Sequence, residues 1–104
     1  MLRYDEESQN AKILAIHYAR LVDEEFLLSF MSGKADIVSR DQAMLVIQGF
    51  WKMTDLAIQD NHDDKQIEGV VDIEFWMQKI FIKVNGYMTK HGFKDIWNAS
   101  VHQR

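Results

Sequence analysis

Residues 70–87 read VVDIEFWMQKIFIKVNGY, and apolar side chains recur along them at helical intervals. Steps of three, four, three, four and three residues separate Val70, Ile73, Met77, Ile80, Val84 and Tyr87. An α-helix places positions with this spacing on one face. We therefore expect a helix in this stretch, with its apolar seam packed against a neighbouring surface.

The same stretch carries a second apolar set, formed by Val71, Phe75 and Ile82, with Trp76 and Phe81 between them. These residues make the helix apolar around most of its circumference, so it must be covered on more than one side. If a chain of this size leaves part of that surface bare, two-fold pairing into a homodimer would cover it.

A β-hairpin is the main alternative for this region. Residues 79–85 contain alternating apolar side chains, and Asn85-Gly86 is a strong hairpin-turn signal between two strands. A hairpin at Asn85-Gly86 would make the fold α+β. Residues 87–91 offer little strand pattern, whereas the helical spacing persists over five intervals, and this difference favours the helix.

An earlier helical stripe spans residues 6–31 and is formed by Ala11, Leu14, Tyr18, Leu21, Val22 and Leu28. This region is either one helix or two, because Asp23-Glu24-Glu25 can also start a second helix with Asp23 as its N-cap. Gly33 is a natural residue to follow the end of the helix.

A further helix is expected to begin at Ser39, which forms a capping-box pattern with Gln42. Apolar residues continue at helical spacing to about Gln59: Ala43, Val46, Ile47, Phe50, Met53 and Leu56. Gly49 lowers helix propensity by about 1 kcal/mol relative to Ala, which indicates close packing against a neighbour. Residues 60–64 then form a loop in which Asp63 or Asp64 can cap the next helix.

The seam helix is expected to end near His91, with Gly92 as the residue after its C-cap. A short amphipathic helix follows and folds back on the bundle through Phe93, Ile96, Trp97 and Val101. The chain contains no proline, and 47% of its 104 residues are apolar. The sequence thus predicts one all-α domain over residues 1–104, a compact bundle of about four helices with a short C-terminal amphipathic helix.

The chain lacks several features that are typical of secreted or membrane proteins. It has no cysteine, no apolar run long enough for a membrane span and no signal-peptide pattern at its polar, acidic start. We therefore expect a cytoplasmic protein with no membrane partner.

Motifs for catalysis or cofactor binding are also missing from the sequence. No histidine has a carboxylate three residues before it, and the five glycines are scattered singly. Neither Gly-x-Ser-x-Gly nor His-Glu-x-x-His occurs. We therefore expect no metal site, no cofactor and no enzymatic activity.

Negative charge is concentrated in the first part of the chain. Residues 1–64 contain twelve acidic and six basic side chains, whereas residues 65–104 contain four acidic and six basic ones. Such a surface repels nucleic acid and attracts basic proteins. Residues 5–7, 23–25 and 60–64 hold the three acidic clusters. They can equally be solvated faces or helix N-termini with no further role.

These observations favour a small acidic, non-catalytic interaction protein. An immunity or antitoxin-type inhibitor of a nuclease toxin, or a phage-type inhibitor of a nucleic-acid-processing protein, is the most concrete version. The residues expected to contact the basic partner are Asp23, Glu24, Glu25, Asp60, Asp63 and Asp64. The alternative is a structural or regulatory helical subunit of a homo-oligomer or larger assembly, which would expose an apolar surface instead.

Overall fold

A computed structural model describes residues 2–65, 67 and 72–104 of the chain. Its helices over that part of the chain are α1 (Leu2–Val22), α2 (Glu25–Met31), α3 (Arg40–His62), α4 (Ile73–Lys90) and α5 (Lys94–His102). The expected all-α bundle is confirmed, and α5 is its short C-terminal helix.

The seam helix is α4, and its seam is confirmed from Ile73 to Val84, whereas Tyr87 is only partly buried and Met88 is buried in its place. Its buried side chains are Ile73, Met77, Ile80, Val84 and Met88. Asp72 caps its start by accepting a 3.0 Å hydrogen bond from the Phe75 amide. Gly92 follows its C-cap with a positive φ of 85°. Val70 and Val71 lie outside the described residues.

The alternative hairpin is wrong, because Asn85 and Gly86 both lie inside α4. Helix α4 is covered on more than one side, as expected, because α1, α3 and α5 all contact it, but part of its second apolar set stays bare. The side chains of Phe75 and Ile82 are 43% and 61% exposed, so the other helices do not enclose α4 on that side. The reason is geometric: α1, α3 and α5 all pack on the remaining sides of α4.

Residues 2–31 form two helices, and the break lies at Asp23. This residue adopts a left-handed conformation with φ of 58°, which ends α1. Glu24 then has extended backbone, and its carboxylate accepts hydrogen bonds from the amides of Phe26 and Leu27 at 3.2 and 2.6 Å. The N-cap of α2 is therefore Glu24, and the expectation that Asp23 has this role is wrong.

The start of α3 and its contact at Gly49 are confirmed. The hydroxyl oxygen of Ser39 accepts a 3.2 Å hydrogen bond from the Gln42 amide, and Gln42 Oε1 accepts one from the Val38 amide at 2.8 Å. At Gly49, a β-carbon would lie 2.6 Å from Leu27 Cδ2, so α2 crosses α3 at the closest approach that glycine allows.

The end of α3 differs from the sequence-based expectation. The helix continues to His62 rather than Gln59, with Asp63 as its C-cap. Asp64 follows with a positive φ of 60°. Asp63 and Asp64 therefore lie at the end of α3 and do not cap α4. The N-cap of α4 is Asp72.

The order of contacts between α3 and α5 shows their relative direction. Arg40 pairs with Asp95 at 2.6 Å and Trp51 Nε1 donates to Ser100 Oγ at 3.0 Å, so α3 and α5 are parallel. Helix α5 closes one side of the core with Trp97, which is fully buried. The remaining core is formed by Ala11, Leu14, Ala15, Tyr18, Ala19, Leu27, Ile37, Ala43, Val46, Ile47, Phe50, Met53 and Ala57, together with the seam of α4.

Candidate functional site

A hydrogen bond between Tyr18 and Asp60 joins the last turns of α1 and α3. The buried Tyr18 hydroxyl donates to Asp60 Oδ2 at 2.8 Å, and Lys65 Nζ lies 3.5 Å from Asp60 Oδ1. Burial of the ring raises the pKa of the Tyr18 hydroxyl, and the bond to Asp60 and its negative charge raise it further. The side chain of Asp60 is only 13% exposed, so this carboxylate is held mainly in contacts within the protein.

This contact brings two of the acidic clusters to the same end of the bundle. Asp23 follows Tyr18 by five residues, and Asp63 follows Asp60 by three. At about 1.5 Å of rise per helical residue, both aspartates lie within about 8 Å, along the helix axes, of the joined side chains. The sequence alone does not show this proximity, because the hydrogen bond connects residues 42 positions apart.

The N-terminus of α4 adds further carboxylates at this end. Asn61 of α3 and Glu74 of α4 line one groove, which places Asp72 and Glu74 near the end of α3. We call this surface the acidic end, and it consists of Asp23, Glu24, Glu25, Asp60, Asp63, Asp64, Asp72 and Glu74. Residues 20–25, 60–65 and 72–74 contain two lysine or arginine residues, Arg20 and Lys65. Carboxylates therefore outnumber these cations four to one.

Sequence reasoning missed Asp72 and Glu74. The signal that could have found them is the position of Asp72 directly before the apolar seam, which is typical of an N-cap. An acidic residue in the first helical turn, such as Glu74, commonly accompanies such a cap.

The carboxylates of the acidic end divide into engaged and exposed groups. Glu24 and Asp72 cap helices, and Asp60 binds Tyr18. Asp23, Glu25, Asp63, Asp64 and Glu74 are exposed to solvent. Asp63 accepts one hydrogen bond, from Gln59 Nε2 at 3.1 Å.

Two of the exposed carboxylates lie at positions that the helix dipole disfavours. Asp63 and Asp64 follow the end of α3, where the dipole is negative, whereas Asp23 lies between the negative end of α1 and the positive end of α2. Each negative charge costs about 0.3–1 kcal/mol at such a position at low ionic strength. The left-handed backbone of Asp23 and Asp64 explains why small polar residues occur at these positions. Gly or Asn would also adopt this backbone and would carry no negative charge.

The part of the chain that the structure describes contains no cluster of three or more histidine or carboxylate side chains arranged to hold a metal ion. None of the described helices combines the length and the apolar character needed to cross a lipid bilayer. Comparison of the chain with known protein families, curated proteins and solved structures finds no match.

Proposed function

We propose that this protein is a small, non-catalytic interaction protein whose acidic end binds a basic surface of another protein in the cytoplasm. The form that we favour is an immunity or antitoxin-type inhibitor of a nuclease toxin, or a phage-type inhibitor of a nucleic-acid-processing protein. The observation that carries the proposal is the placement of Asp63 and Asp64 at the C-terminus of α3, where the helix dipole disfavours negative charge. A charge that costs stability is typical of a functional site.

The expected mechanism is electrostatic steering followed by steric blocking. Proteins that bind nucleic acid present a positive groove, and a concentrated negative surface accelerates encounter with it by about 10–10³-fold. In this proposal Asp23, Glu25, Asp63 and Asp64 contact the partner. Glu24 and Asp60 support the surface, because both already bind groups within the chain.

The test compares two double variants that change net charge equally. Asp63→Asn/Asp64→Asn neutralises the acidic end. The matched control is Asp36→Asn/Asp41→Asn, whose residues are also exposed. The control residues lie at the opposite end of the bundle, where the Ile37 amide donates to the Tyr87 hydroxyl at 2.9 Å.

Partners captured with the wild-type protein are identified by mass spectrometry, purified and mixed with each variant in stopped-flow measurements at several salt concentrations. We expect Asp63→Asn/Asp64→Asn to slow association about tenfold and to flatten its salt dependence, with little change in the control. Equal association rates for the wild type and both variants would show that the acidic end does not bind the partner.

The alternative function is a structural or regulatory subunit, and the exposed face of α4 favours it. Phe75 and Ile82 are seven residues apart and therefore lie on the same side of the helix. Sedimentation equilibrium tests this alternative. A dimer that resists salt and dissociates in Ile82→Ser, but not in the control Val38→Ser, supports the subunit; a monomer that persists at high protein concentration contradicts it.

A further inference from the structure

A groove runs between α3 and α4 and ends at the acidic end. It has a volume of about 400 Å³, and its lining consists of Phe50, Trp51, Thr54, Ala57, Ile58 and Asn61 from α3 and Ile73, Glu74, Met77, Gln78 and Phe81 from α4. The two helices are antiparallel here, because Phe50 packs near Phe81 with ring centroids 6.1 Å apart while Asn61 lies at the start of α4.

Apolar side chains dominate the groove and remain accessible on its rim. Ile58 lines the groove and is 61% exposed. Ile82 follows the lining residue Gln78 by one turn of α4 and is also 61% exposed. From Phe50 to Asn61 the α3 wall spans about 16 Å at 1.5 Å per residue, which matches about three turns of a partner helix.

Charge along the groove is uneven. Glu74 is the charged residue among the described lining residues, and Asp63 and Asp64 follow Asn61 at the same end. At the other end Trp97 stacks on Trp51, with ring centroids 5.6 Å apart. There the guanidinium of Arg104 lies 4.8 Å from the Trp51 ring centroid and pairs with Asp55, so these two charges offset each other.

From this arrangement we infer that the α3–α4 groove binds an amphipathic helix of about three turns from a partner protein, with apolar residues on one face and basic residues near the acidic end. Helices bind apolar grooves through side chains spaced three and four residues apart. The uneven charge selects a basic helix over a neutral or acidic one. The inference rests on the proposed function, because it assigns the part of the basic partner that the protein recognises.

The probe is a synthetic three-turn peptide of leucine and lysine, with leucine at helical spacing on one face and a fluorescent label at one end. Two control peptides accompany it: one has glutamate in place of every lysine, and the other has the same composition with the leucines dispersed around the helix. Binding is followed by fluorescence anisotropy, and the site is located from amide chemical-shift changes in NMR spectra.

We expect the patterned lysine peptide to bind at least tenfold more tightly than either control peptide, with shift changes centred on Thr54, Ala57 and Met77. Ile58→Ser should weaken its binding about tenfold, because this exposed side chain becomes buried in the complex. The matched control Val38→Ser removes an aliphatic side chain that is 81% exposed and should leave binding unchanged. Both positions are exposed, so neither variant should lose the fold.

Three results would overturn the inference. The first is equal binding of the lysine and glutamate peptides, and the second is unchanged binding in Ile58→Ser. The third is dimerisation of the protein through the groove, seen as a salt-insensitive dimer that Ile58→Ser dissociates, because the occupant would then be a second copy of the chain.

The two proposals fail in different ways. If the captured partner depends on Asp63 and Asp64 but binds Ile58→Ser normally, the acidic end is the binding site and the groove is not. If the patterned peptide binds the groove but Asp63→Asn/Asp64→Asn associates with every captured partner at the wild-type rate, the groove binds helices and the proposed function is wrong.

Discussion

The side chain of Leu27 occupies the space that a β-carbon on Gly49 would need. The Cδ2, Cδ1 and Cγ atoms of Leu27 lie 2.6, 3.0 and 3.2 Å from that position, and Leu27 is fully buried. A larger residue at position 49 would therefore force the Leu27 side chain to shift where α2 crosses α3. Because α2 begins at the Glu24 N-cap, this packing also fixes the helix that carries Glu25.

Gly49→Ala should lower the free energy of unfolding by up to about 2 kcal/mol. The better helix propensity of alanine contributes about 1 kcal/mol, and overpacking against Leu27 costs about 1–3 kcal/mol. Urea denaturation followed by circular dichroism measures the difference. In a Leu27→Ala background the clash is absent, so the same substitution should stabilise; stabilisation in the wild-type background would contradict the close contact.

Tyr18→Phe should lower the free energy of unfolding by about 1.5–3 kcal/mol near neutral pH, because it removes a hydrogen bond to a charged group. The folded protein raises the pKa of the Tyr18 hydroxyl, so the contribution is complete below the unfolded pKa of about 10 and is lost as the pH rises further. Wild-type stability should fall more steeply than that of the variant above this pH. Urea denaturation of both proteins at several pH values measures the difference between their free energies of unfolding. Lysine titrations affect both proteins equally and cancel in this difference. Parallel pH profiles would argue against the raised pKa of Tyr18.

Asp63→Asn/Asp64→Asn should raise the free energy of unfolding by about 1 kcal/mol at low ionic strength. The substitution removes negative charge from the C-terminus of α3, and asparagine tolerates the left-handed backbone at position 64. The gain should shrink in 1 M salt because the effect is screened. The control Asp36→Asn/Asp41→Asn should destabilise slightly, because Asp41 lies in the first turn of α3. Thermal unfolding of both proteins at two salt concentrations checks the opposite signs.

Asn85→Ala should destabilise the protein by about 1 kcal/mol or more. The indole Nε1 of the fully buried Trp97 donates to Asn85 Oδ1 at 2.8 Å, and alanine leaves this donor without its acceptor. Asn85→Asp keeps an acceptor at the same place and is the matched control. Chemical denaturation of both variants measures the effect, and equal stabilities would indicate that the hydrogen bond contributes little.

Local sequence signals predicted most of the helical architecture. The seam from Ile73, the cap at Ser39 and the glycines at 33 and 92 each act through neighbouring residues, so their effects can be inferred from spacing. Both of these glycines have positive φ in the structure, at 78° and 85°. Gly49 also indicated a close contact with another helix, although the sequence did not identify Leu27 as the neighbour.

The acidic residues were harder to place because aspartate suits two opposite positions. It caps a helix N-terminus through its carboxylate, and it tolerates the left-handed backbone that follows a C-terminus. Asp23 and Asp64 both occupy the position after a helix C-terminus. The sequence pattern assigned neither residue to such a position. The groove between α3 and α4 was also missed, since its walls come from two helices whose register is set by tertiary packing.

The packing of α1 has a consequence for synthesis on the ribosome. Helix α1 is made before α3 and α4, yet it packs against both, so its apolar stripe is not enclosed until α4 has been translated. A nascent chain stalled before Ile73 would lack Ile80 and Phe81, and it would therefore present Ala15 of α1 and the ring of Phe50 of α3 to cellular chaperones. Truncation there should therefore yield an aggregation-prone fragment rather than a smaller stable bundle.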